Sequence, residues 1–355
     1  MNDQSFSKNL LSWYFNSPIS FPWRKTKNPY KIWLSEIMLQ QTRATTVIPY
    51  YENWILKFPT LNSVSNSSLD DVLKAWEGLG YYARVRNFHK ACKIVKIKFN
   101  SQIPKKFSDL IQLPGIGDYI ASAVLSIAFN KPRPAIDVNV VRIISRLNCI
   151  QKPYPSSKND INDFLLCKID NNNSGDFNQA LMDLGRTTCK SSNPNCISCP
   201  IIMFCKAHVN NNVNSFPIKK NYTIKQHHHV AIGVIWNKNK ILVSKRKNEG
   251  MLGGLWEFPG GKLKLKETAQ QCVIREIKEE LDVDVLPVNF IDSINHSYSH
   301  FSITLNAYHC KYIKGSPRAL GCSEFRWIHP NHLKLLAFPV SSQKIFNKIL
   351  HYFNS

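Results

Sequence analysis

Four cysteines stand close together near the middle of the chain. Six, two and five residues separate Cys189, Cys196, Cys199 and Cys205, so the four thiols fall within 17 residues. Thiolates gathered this tightly can close around one metal centre, and both zinc and a [4Fe–4S] cluster accept four of them. In a reducing compartment this clustering indicates metal binding rather than disulfide formation.

A glycine-rich run at residues 113–119 reads LPGIGDY and opens an apolar stretch. Gly115 and Gly117 allow a tight turn and a close approach of the backbone to a ligand. The N-terminus of the following helix would direct free N–H groups at an anion. By itself the pattern also fits an ordinary turn between two helices. Asp137 follows Gly115 by 22 residues and adds a carboxylate to the arrangement.

Three further carboxylates lie in the last third of the chain. Residues 267–281 show the period of an amphipathic helix, and Glu276, Glu279 and Glu280 fall at i, i+3 and i+4 within it. This spacing places all three side chains on one face, where their oxygens suit Mg²⁺.

The elements that must position these residues change character along the chain. Up to about residue 205, apolar residues recur at helical spacing and no strand pattern of any length is found. Residues 209–229 are polar and irregular, which predicts a linker that includes the histidines at 227–229. From residue 230, short β-type runs surround the helix at 267–281. We therefore predict a multidomain protein with an all-α domain at 1–208 and an α+β domain at 230–355.

The composition favours a polyanionic partner. The chain has 46 Lys and Arg against 24 Asp and Glu, a net charge of +22, and is 43% hydrophobic. A chain this apolar is not a disordered tail, and the surplus charge points to nucleic acid, although a lysine-rich genomic bias would also produce it. The N-terminus lacks a signal-peptide pattern and the longest apolar run is too short to cross a bilayer. We expect a cytoplasmic protein without membrane contact.

Several motifs together resemble one enzyme family. They are WLSEIMLQQT at 33–42, GLGYYARVRN at 78–87, FPWR at 21–24, NQALMDLG at 178–185, the hairpin at 113–119 and the cysteine loop. This set is similar to the MutY family of adenine DNA glycosylases, within the endonuclease III superfamily, over nearly all of residues 20–205. The resemblance implies a helix-hairpin-helix domain with a [4Fe–4S] cluster at the four cysteines. It also implies a nucleoid-associated monomer that acts on double-stranded DNA with A:8-oxoG or A:G mispairs.

The resemblance assigns the catalytic roles. An enzyme that cuts a base from its sugar must protonate the leaving base and stabilise a positively charged sugar. By resemblance Glu36 is the general acid and then activates water, and Tyr119 assists through its hydroxyl. Asp137 remains ionised and either stabilises the cation or bonds to it covalently for a time. The bifunctional lyases of the superfamily have a Schiff-base lysine at the position of Tyr119. Its absence favours a monofunctional glycosylase over an endonuclease III-type lyase.

Other positions match residues of the family that contact DNA. By resemblance the adenine pocket is lined by Trp23, Arg24, Leu39 and Gln179. Gln41 and Tyr82 are the expected wedge residues beside the extruded base, with Thr42 next to them. Gly115 and Gly117 would bind the DNA backbone without reading its sequence.

Three positions depart from the family pattern. Val138 replaces a glycine after the aspartate, and we expect its side chain to crowd the site. Asp118 puts a negative charge in the hairpin, although a helix N-terminus tolerates an acid. Arg186 replaces a small residue. None of these changes removes a proposed catalytic group.

The last domain resembles a Nudix module. Residues 261–283 match the Nudix box, including Glu276, Glu279 and Glu280, except that Asp282 replaces a glycine. Asp can adopt the left-handed conformation that a helix end needs. In the adenine glycosylases this domain recognises the lesion, and Tyr298, Ser299 and His300 match the recognition loop. The nearly complete box leaves open an additional Mg²⁺-dependent 8-oxo-dGTP pyrophosphatase activity. A lesion-scanning protein without chemistry is less favoured, because Glu36 and Asp137 are present. A nucleotide-pool pyrophosphatase with a DNA-binding appendage is less favoured, because the first domain is nearly complete.

Overall fold

The computed structural model describes residues 3–17, 21–219, 226–298 and 301–354. The chain divides into two units. Unit 1 comprises Met1–Asn66 and Lys90–Tyr222, and unit 2 comprises Ser67–His89 and Thr223–Ser355. The predicted domain at 1–208 was continuous, whereas the structure assigns Ser67–His89 to the unit that contains the C-terminal part of the chain.

Helices account for the regular structure before residue 226 in the described part of the chain. They are α1 (Asp3–Phe15), α2 (Pro29–Leu39), α3 (Ala44–Lys57), α4 (Leu61–Asn66), α5 (Leu69–Ala75), α6 (Ala83–Lys98), α7 (Phe107–Leu110), α8 (Asp118–Phe129), α9 (Val138–Asn148), α10 (Lys158–Lys168), α11 (Ser174–Thr187) and α12 (Lys206–Val209), with 3₁₀ turns at Pro22–Lys25, Ile202–Phe204 and Val213–Ser215. In unit 1, α8 packs against α2, α7 and α11. Every residue from Ile120 to Ile127 is buried, which makes α8 the centre of this unit.

Unit 2 contains a mixed sheet with helices on both faces. Its elements after residue 225 are β1 (Gln226–Asn237), β2 (Lys240–Lys245), β3 (Trp256–Glu257), β4 (Gly260–Lys262), α13 (Ala269–Leu281), β5 (Val283–Ser297), β6 (Phe301–Gly315), β7 (Glu324–Ile328), a 3₁₀ turn at Pro330–Leu335, α14 (Val340–Gln343) and α15 (Phe346–Asn354). The strand order is β3-β2-β1-β6-β5, with β4 paired to β1 and β7 paired to β2. β1 and β6 run parallel, and the other pairs are antiparallel.

The alternation of the strands gives the sheet two buried faces. One face packs Val234, Val243 and Leu305 against Phe338 and Ile349 from the C-terminal segment. The other packs Ile235 and Leu242 against Val273 and Ile277 of α13. Burial on both faces supplies the hydrophobic stabilisation that a small sheet domain needs.

Two local predictions can be compared with this unit. The histidines at 227–229 belong to β1, because their backbone pairs in register with β6 from Ser302 to Thr304; the prediction that they lie in the linker was wrong. Helix α13 begins at Ala269, because the Thr268 side chain caps it in a capping box. Asp282 ends it with a left-handed φ of 56°, as the sequence predicted. None of the described helices combines the length and apolarity needed to span a bilayer.

Candidate active site

Helix α2 carries Glu36 into the interior of unit 1. The helix begins cleanly because the Asn28 side chain accepts hydrogen bonds from the amides of Tyr30 and Lys31. All residues from Ile32 to Met38 are buried, and Glu36 is only 2% exposed. A carboxylate removed from water in this way is costly unless it is protonated or hydrogen-bonded.

Tyr119, in the first turn of α8, is the hydrogen-bond partner of Glu36. Its hydroxyl donates to Oε2 of Glu36 at 2.5 Å. Burial raises the pKa of Glu36, and the bond from Tyr119 opposes that rise. The pKa of Tyr119 lies well above its ordinary value, chiefly through burial, so the hydroxyl stays protonated. The pair therefore presents a carboxyl that holds its proton at higher pH than an ordinary glutamic acid.

Asp137 lies at the N-terminus of α9 and caps that helix. Its Oδ1 accepts from the amide of Val140 at 2.7 Å, and its Oδ2 accepts from Nδ2 of Asn139 at 2.7 Å. Burial raises the pKa of Asp137, and these two bonds oppose the rise. The negative charge of Asp137 also raises the pKa of Glu36. The two carboxyls thus share one electrostatic environment but differ in their hydrogen-bond donors.

A buried arginine forms another wall of the site. Nη1 of Arg24 donates to Oε1 of Gln179 at 2.6 Å, and Nη2 donates to Oδ1 of Asp183 at 3.1 Å. Burial alone would lower the pKa of Arg24, but its interactions with Asp183, Tyr14 and Glu36 together outweigh burial, and the pKa is raised. Trp23 is 2% exposed and stacks on Phe21 at a centroid distance of 5.0 Å. Leu39, the last residue of α2, is half-buried.

Comparisons with known proteins agree with this geometry. A model of the HhH-GPD superfamily of base excision DNA repair proteins matches residues 34–164, and a NUDIX domain model matches residues 231–348. An adenine DNA glycosylase of Buchnera aphidicola subsp. Baizongia pistaciae is 34% identical over 97% of this chain and 96% of its own length. The chain belongs to the adenine DNA glycosylase family. The family resemblance and the predicted fold class are confirmed.

Relatives of this glycosylase extend beyond bacteria. The adenine DNA glycosylase of Rattus norvegicus is 30% identical over 96% of this chain and 77% of its own length. A thermostable thymine-DNA glycosylase has a TM-score of 0.53 at 24% identity, covering 59% of this chain and 97% of its own. A complex of endonuclease III with DNA gives a TM-score of 0.51 at 23% identity, covering 59% of this chain and 98% of its own. These two structures share the fold of the helical part of the chain.

The glycosylase exposes backbone at the two predicted DNA-contact segments of unit 1. Gln41 is exposed and has a left-handed φ of 56°, and Thr42 beside it is half-buried. Gly115 needs its φ of 79°, which side chains rarely adopt. A Cβ at Gly117 would meet no atom within 4 Å, so the hairpin is open to a ligand at that position.

The structure contradicts the expectation that Tyr82 is the exposed wedge. Tyr82 is 2% exposed, and its hydroxyl accepts from the amide of Gly78 at 3.1 Å. The preceding Tyr81 is half-buried and has a left-handed φ of 51°, a strained conformation for a tyrosine. The sequence contains both tyrosines side by side, and only the backbone conformation decides which ring turns outward.

The three departures from the family pattern are accommodated. Val138 is 79% exposed, so the expectation that it crowds the site was wrong: the first turn of α9 directs its side chain to solvent. Asp118 forms an ion pair with Lys158. The guanidinium of Arg186 lies over the ring of Phe21 at 4.1 Å.

The sequence analysis did not identify two residues that support Asp137, namely Asn139 and Arg142. Arg142 donates to Oδ1 of Asn139 at 2.9 Å and to the carbonyl of Cys189 at 2.8 Å, and Asn139 donates to Asp137. A Cβ at Gly185 would come within 2.5 Å of Asn139, so only glycine fits there. The sequence did offer one sign of this support. Arg142 and Arg146 are spaced four residues apart, on the same face of the amphipathic helix α9, and both are buried.

The four clustered cysteines line one cavity. Cys189, Cys196, Cys199 and Cys205 surround it together with Arg146. Nη1 of Arg146 lies 3.2 Å from Sγ of Cys189. Across the described ranges, no group of three or more His, Cys, Asp or Glu side chains is arranged closely enough to hold a metal ion.

The Nudix-box carboxylates of unit 2 have contrasting partners. Glu276 accepts from Arg275 at 2.7 Å, and Glu279 is 57% exposed. Glu280 is half-buried, and its buried Oε2 atom has no hydrogen-bond partner among the described residues. Burial and the neighbouring charge of Glu257 raise the pKa of Glu280 to about 7. Glu257 is paired with Arg246 at 2.6 Å.

One of the predicted lesion-recognition residues is described. The ring of Tyr298 packs between His296 and Phe301 at centroid distances of 4.6 and 4.9 Å. Its hydroxyl lies 3.1 Å from Oγ of Ser341. Ser299 and His300 lie outside the described residues.

Proposed function

We propose that this protein is a monofunctional glycosylase that hydrolyses the N-glycosidic bond of adenine mispaired with 8-oxoguanine or guanine in double-stranded DNA. The observation that carries the proposal is the buried Glu36, hydrogen-bonded to Tyr119 and electrostatically coupled to Asp137. Membership of the adenine DNA glycosylase family supports base excision as the reaction.

Glu36 and Asp137 have different roles in the reaction. Protonated Glu36 gives its proton to a ring nitrogen of adenine, and the C–N bond breaks with its electron pair going to the base. Asp137 offers negative charge to the oxocarbenium-like sugar that remains. Water then adds to the anomeric carbon, and Glu36 takes up the proton that the water loses. Tyr119 orients Glu36 through the hydrogen bond at 2.5 Å.

Strand cleavage through an imine is not part of this proposal. It would need an amine nucleophile, and the residue that contacts Glu36 is Tyr119. The bifunctional alternative therefore has no observation in its favour.

Recognition of the adenine is proposed for the group of residues around Arg24. Arg24, held by Asp183, fixes the Gln179 amide, whose oxygen and NH₂ group suit the edge of a purine. The buried indole of Trp23 gives the pocket an apolar side that excludes water.

Binding of the duplex is proposed for both units. The hairpin at Gly115 and Gly117 would hold phosphates, supported by the net charge of +22. Gln41 and Tyr81, in place of Tyr82, would fill the stack that the extruded adenine leaves. Tyr298, with Ser299 and His300, would read the opposite 8-oxoguanine. We propose that the enzyme acts as a monomer on nucleoid DNA in the cytoplasm.

A [4Fe–4S] cluster is proposed for the cysteine cavity. A single zinc ion needs four sulfurs at about 2.3 Å from one point, whereas these thiols surround a wider cavity that also admits Arg146. Arg142 ties the backbone of Cys189 to Asn139, so the cluster would stabilise the loop that supports the Asp137 helix. Visible absorbance and the iron and sulfide content of the purified protein test this, with Cys199→Ser as the depleted variant.

The deciding experiment is single-turnover cleavage of a labelled duplex with adenine opposite 8-oxoguanine. We expect strand scission only after alkali treatment, and loss of scission in Glu36→Gln. Scission without alkali would indicate a lyase, and tight binding without base release would indicate a recognition protein. A guanine:adenine duplex run in parallel gives the mispair preference.

A second candidate function is Mg²⁺-dependent pyrophosphatase activity toward 8-oxo-dGTP in unit 2. It is favoured by the buried Glu280 oxygen without a partner, close enough to Glu257 for their charges to couple. As they stand, Glu276 and Glu279 pair with Arg275, so they would join Glu280 in holding Mg²⁺ only when released from it. The ion would then activate water against the phosphate chain. Release of pyrophosphate by the full-length protein with Mg²⁺, absent in Glu280→Gln, tests this activity. No release in the unmodified protein would exclude it.

A further inference from the structure

The segment Ser67–His89 belongs to unit 2 although it lies far from the rest of that unit in sequence. It contains α5, the start of α6 and, between them, residues 76–82, which we call the wedge loop. Tyr81 in this loop is the residue proposed above to enter the duplex, so the following inference rests on the proposed function.

One anchor of the wedge loop precedes it. Nζ of Lys74 donates to the carbonyl of Leu336 at 3.1 Å, and the amide of Phe338 donates to Oε1 of Glu77 at 2.9 Å. Lys74 and Glu77 also pair with each other. Phe338 is fully buried in the core on one face of the sheet. Glu77 is therefore tied to the C-terminal segment at a point that cannot move without disturbing that core.

A second anchor follows the wedge loop. Arg86 is 6% exposed, and its guanidinium donates from Nη1 to the carbonyl of Gly253 at 2.7 Å and from Nη2 to that of Gly250 at 2.5 Å. Both glycines lie in the turn that leads into β3. A buried guanidinium needs such acceptors, so the two carbonyls fix the direction of the Arg86 side chain.

The wedge loop between these anchors is held in an unfavourable conformation. Gly78, Gly80 and Tyr81 have φ values of 93°, 77° and 51°. The carbonyl of Gly80 accepts from the Trp76 indole at 2.9 Å and from Arg84 at 3.1 Å. A tyrosine keeps a left-handed backbone only where its surroundings impose it. Here the hydrogen bonds from Trp76 and Arg84 to Gly80, together with the anchors at either end of the loop, impose it.

We propose that Glu77 and Arg86 are positioning residues through which the C-terminal part of unit 2 holds Tyr81 ready to enter the duplex. The part of the chain proposed to read the opposite base then also supports the extrusion of adenine. Loss of an anchor slows base release without altering Glu36, Tyr119 or Asp137.

A double-mutant cycle in the full-length protein tests this proposal. The variants are Arg86→Met, Tyr81→Ala and their combination, assayed by single-turnover base release. The matched control is Arg318→Met, which makes the same substitution at an exposed arginine. The Arg318 side chain is 70% exposed, and its Nη1 atom forms a long ion pair of 4.0 Å with Oδ2 of Asp282. Each single variant should lower the rate about tenfold, and the double variant should match Tyr81→Ala, because Arg86 acts through that ring. The control should change the rate less than about twofold.

Hydrogen exchange supplies a readout that does not depend on activity. In Arg86→Met, peptides from the wedge loop should exchange faster, while peptides from α2 keep the rate of the unmodified protein. Faster exchange in both regions would mean general destabilisation and would overturn the proposal. If Arg86→Met does not fold, Glu77→Gln takes its place in the same cycle, with a smaller expected loss of about threefold.

Independent, multiplying effects of the two substitutions, about a hundredfold together, would also overturn the proposal. If the unmodified protein releases no adenine, the proposed function fails. The exchange comparison still decides whether the anchors hold the wedge loop.

Discussion

The two units each contain buried carboxyls with raised pKa values, but these carboxyls have different neighbours. In unit 1, Glu36 meets a tyrosine hydroxyl, and Asp137 meets an amide and an asparagine. In unit 2, Glu257 is paired with Arg246, and Glu280 keeps one oxygen without a described partner. Neutral donors leave a carboxyl free to exchange a proton, whereas a carboxylate oxygen without a donor gains most from a cation.

The comparison shows why burial alone does not identify a catalytic acid. Burial raises the pKa of Glu257 as it does that of Glu36, although Arg246 opposes the rise at Glu257. What distinguishes Glu36 is that its hydrogen-bond donor is the neutral hydroxyl of Tyr119, with the carboxyl of Asp137 in the same electrostatic environment, whereas Glu257 is ion-paired with Arg246.

The largest effect should come from exchanging these two buried glutamates for glutamine. Glu36→Gln removes the proton donor and should slow base release by about 10³-fold or more. Glu257→Gln, at a glutamate whose side chain is 16% exposed and whose pKa burial also raises, should leave the single-turnover rate within about twofold. Equal losses in both variants would mean that burial, rather than position, determines the phenotype.

Asp137→Asn separates charge from helix capping. Asn caps helices as well as Asp does, so the thermal midpoint should change little. Loss of the negative charge should slow base release by about 10²-fold. The test measures the single-turnover rate and the thermal unfolding curve of Asp137→Asn on one preparation. A large loss of stability would assign Asp137 a structural role instead.

Tyr119→Phe should shift the pH profile. The bond from Tyr119 lowers the pKa of Glu36, so its removal raises that pKa further. A general acid works while protonated, and the fall in rate on the alkaline side should move to higher pH. The maximal rate should drop about tenfold, because Glu36 loses its orienting bond. An unchanged profile would show that the hydroxyl does not control Glu36.

The smallest expected effect is a pH dependence of the free energy of unfolding that arises from Glu280 in unit 2. The folded-state pKa of Glu280 is raised to about 7, above the roughly 4.3 of an unfolded chain. The folded state therefore binds this proton more tightly, and the free energy of unfolding should fall as pH rises from about 4.3 through 7. Denaturant unfolding should show a loss on the order of 1 kcal/mol that is absent in Glu280→Gln.

Mg²⁺ sharpens the same test. At pH 8 it should restore the lost stability of the unmodified protein and leave Glu280→Gln unchanged. A pH dependence that persists in Glu280→Gln would exclude this carboxyl as its cause. A response to Mg²⁺ in both proteins would place the cation elsewhere.

The sequence alone determined the local structure and the family. Helical spacing predicted the helices of unit 1, alternation predicted β2 and β6, and the left-handed end of α13 at Asp282 followed from its place after the helix. These features depend on neighbours within a few residues. The motifs at 33–42 and 78–87, together with the hairpin at 113–119 and the cysteine loop, identified the family for the same reason.

Tertiary structure decided what depends on distant partners. Ser67–His89 belongs to unit 2 because Glu77 and Arg86 meet backbone groups more than 160 residues away in sequence. Tyr82 is buried and Tyr81 only half-buried, in a loop whose left-handed backbone and hydrogen-bonded ends no local pattern predicts. The histidines at 227–229 form strand because β6 lies beside them. No local pattern encodes such contacts, since their free energy arises only when the folded chain brings the partners together.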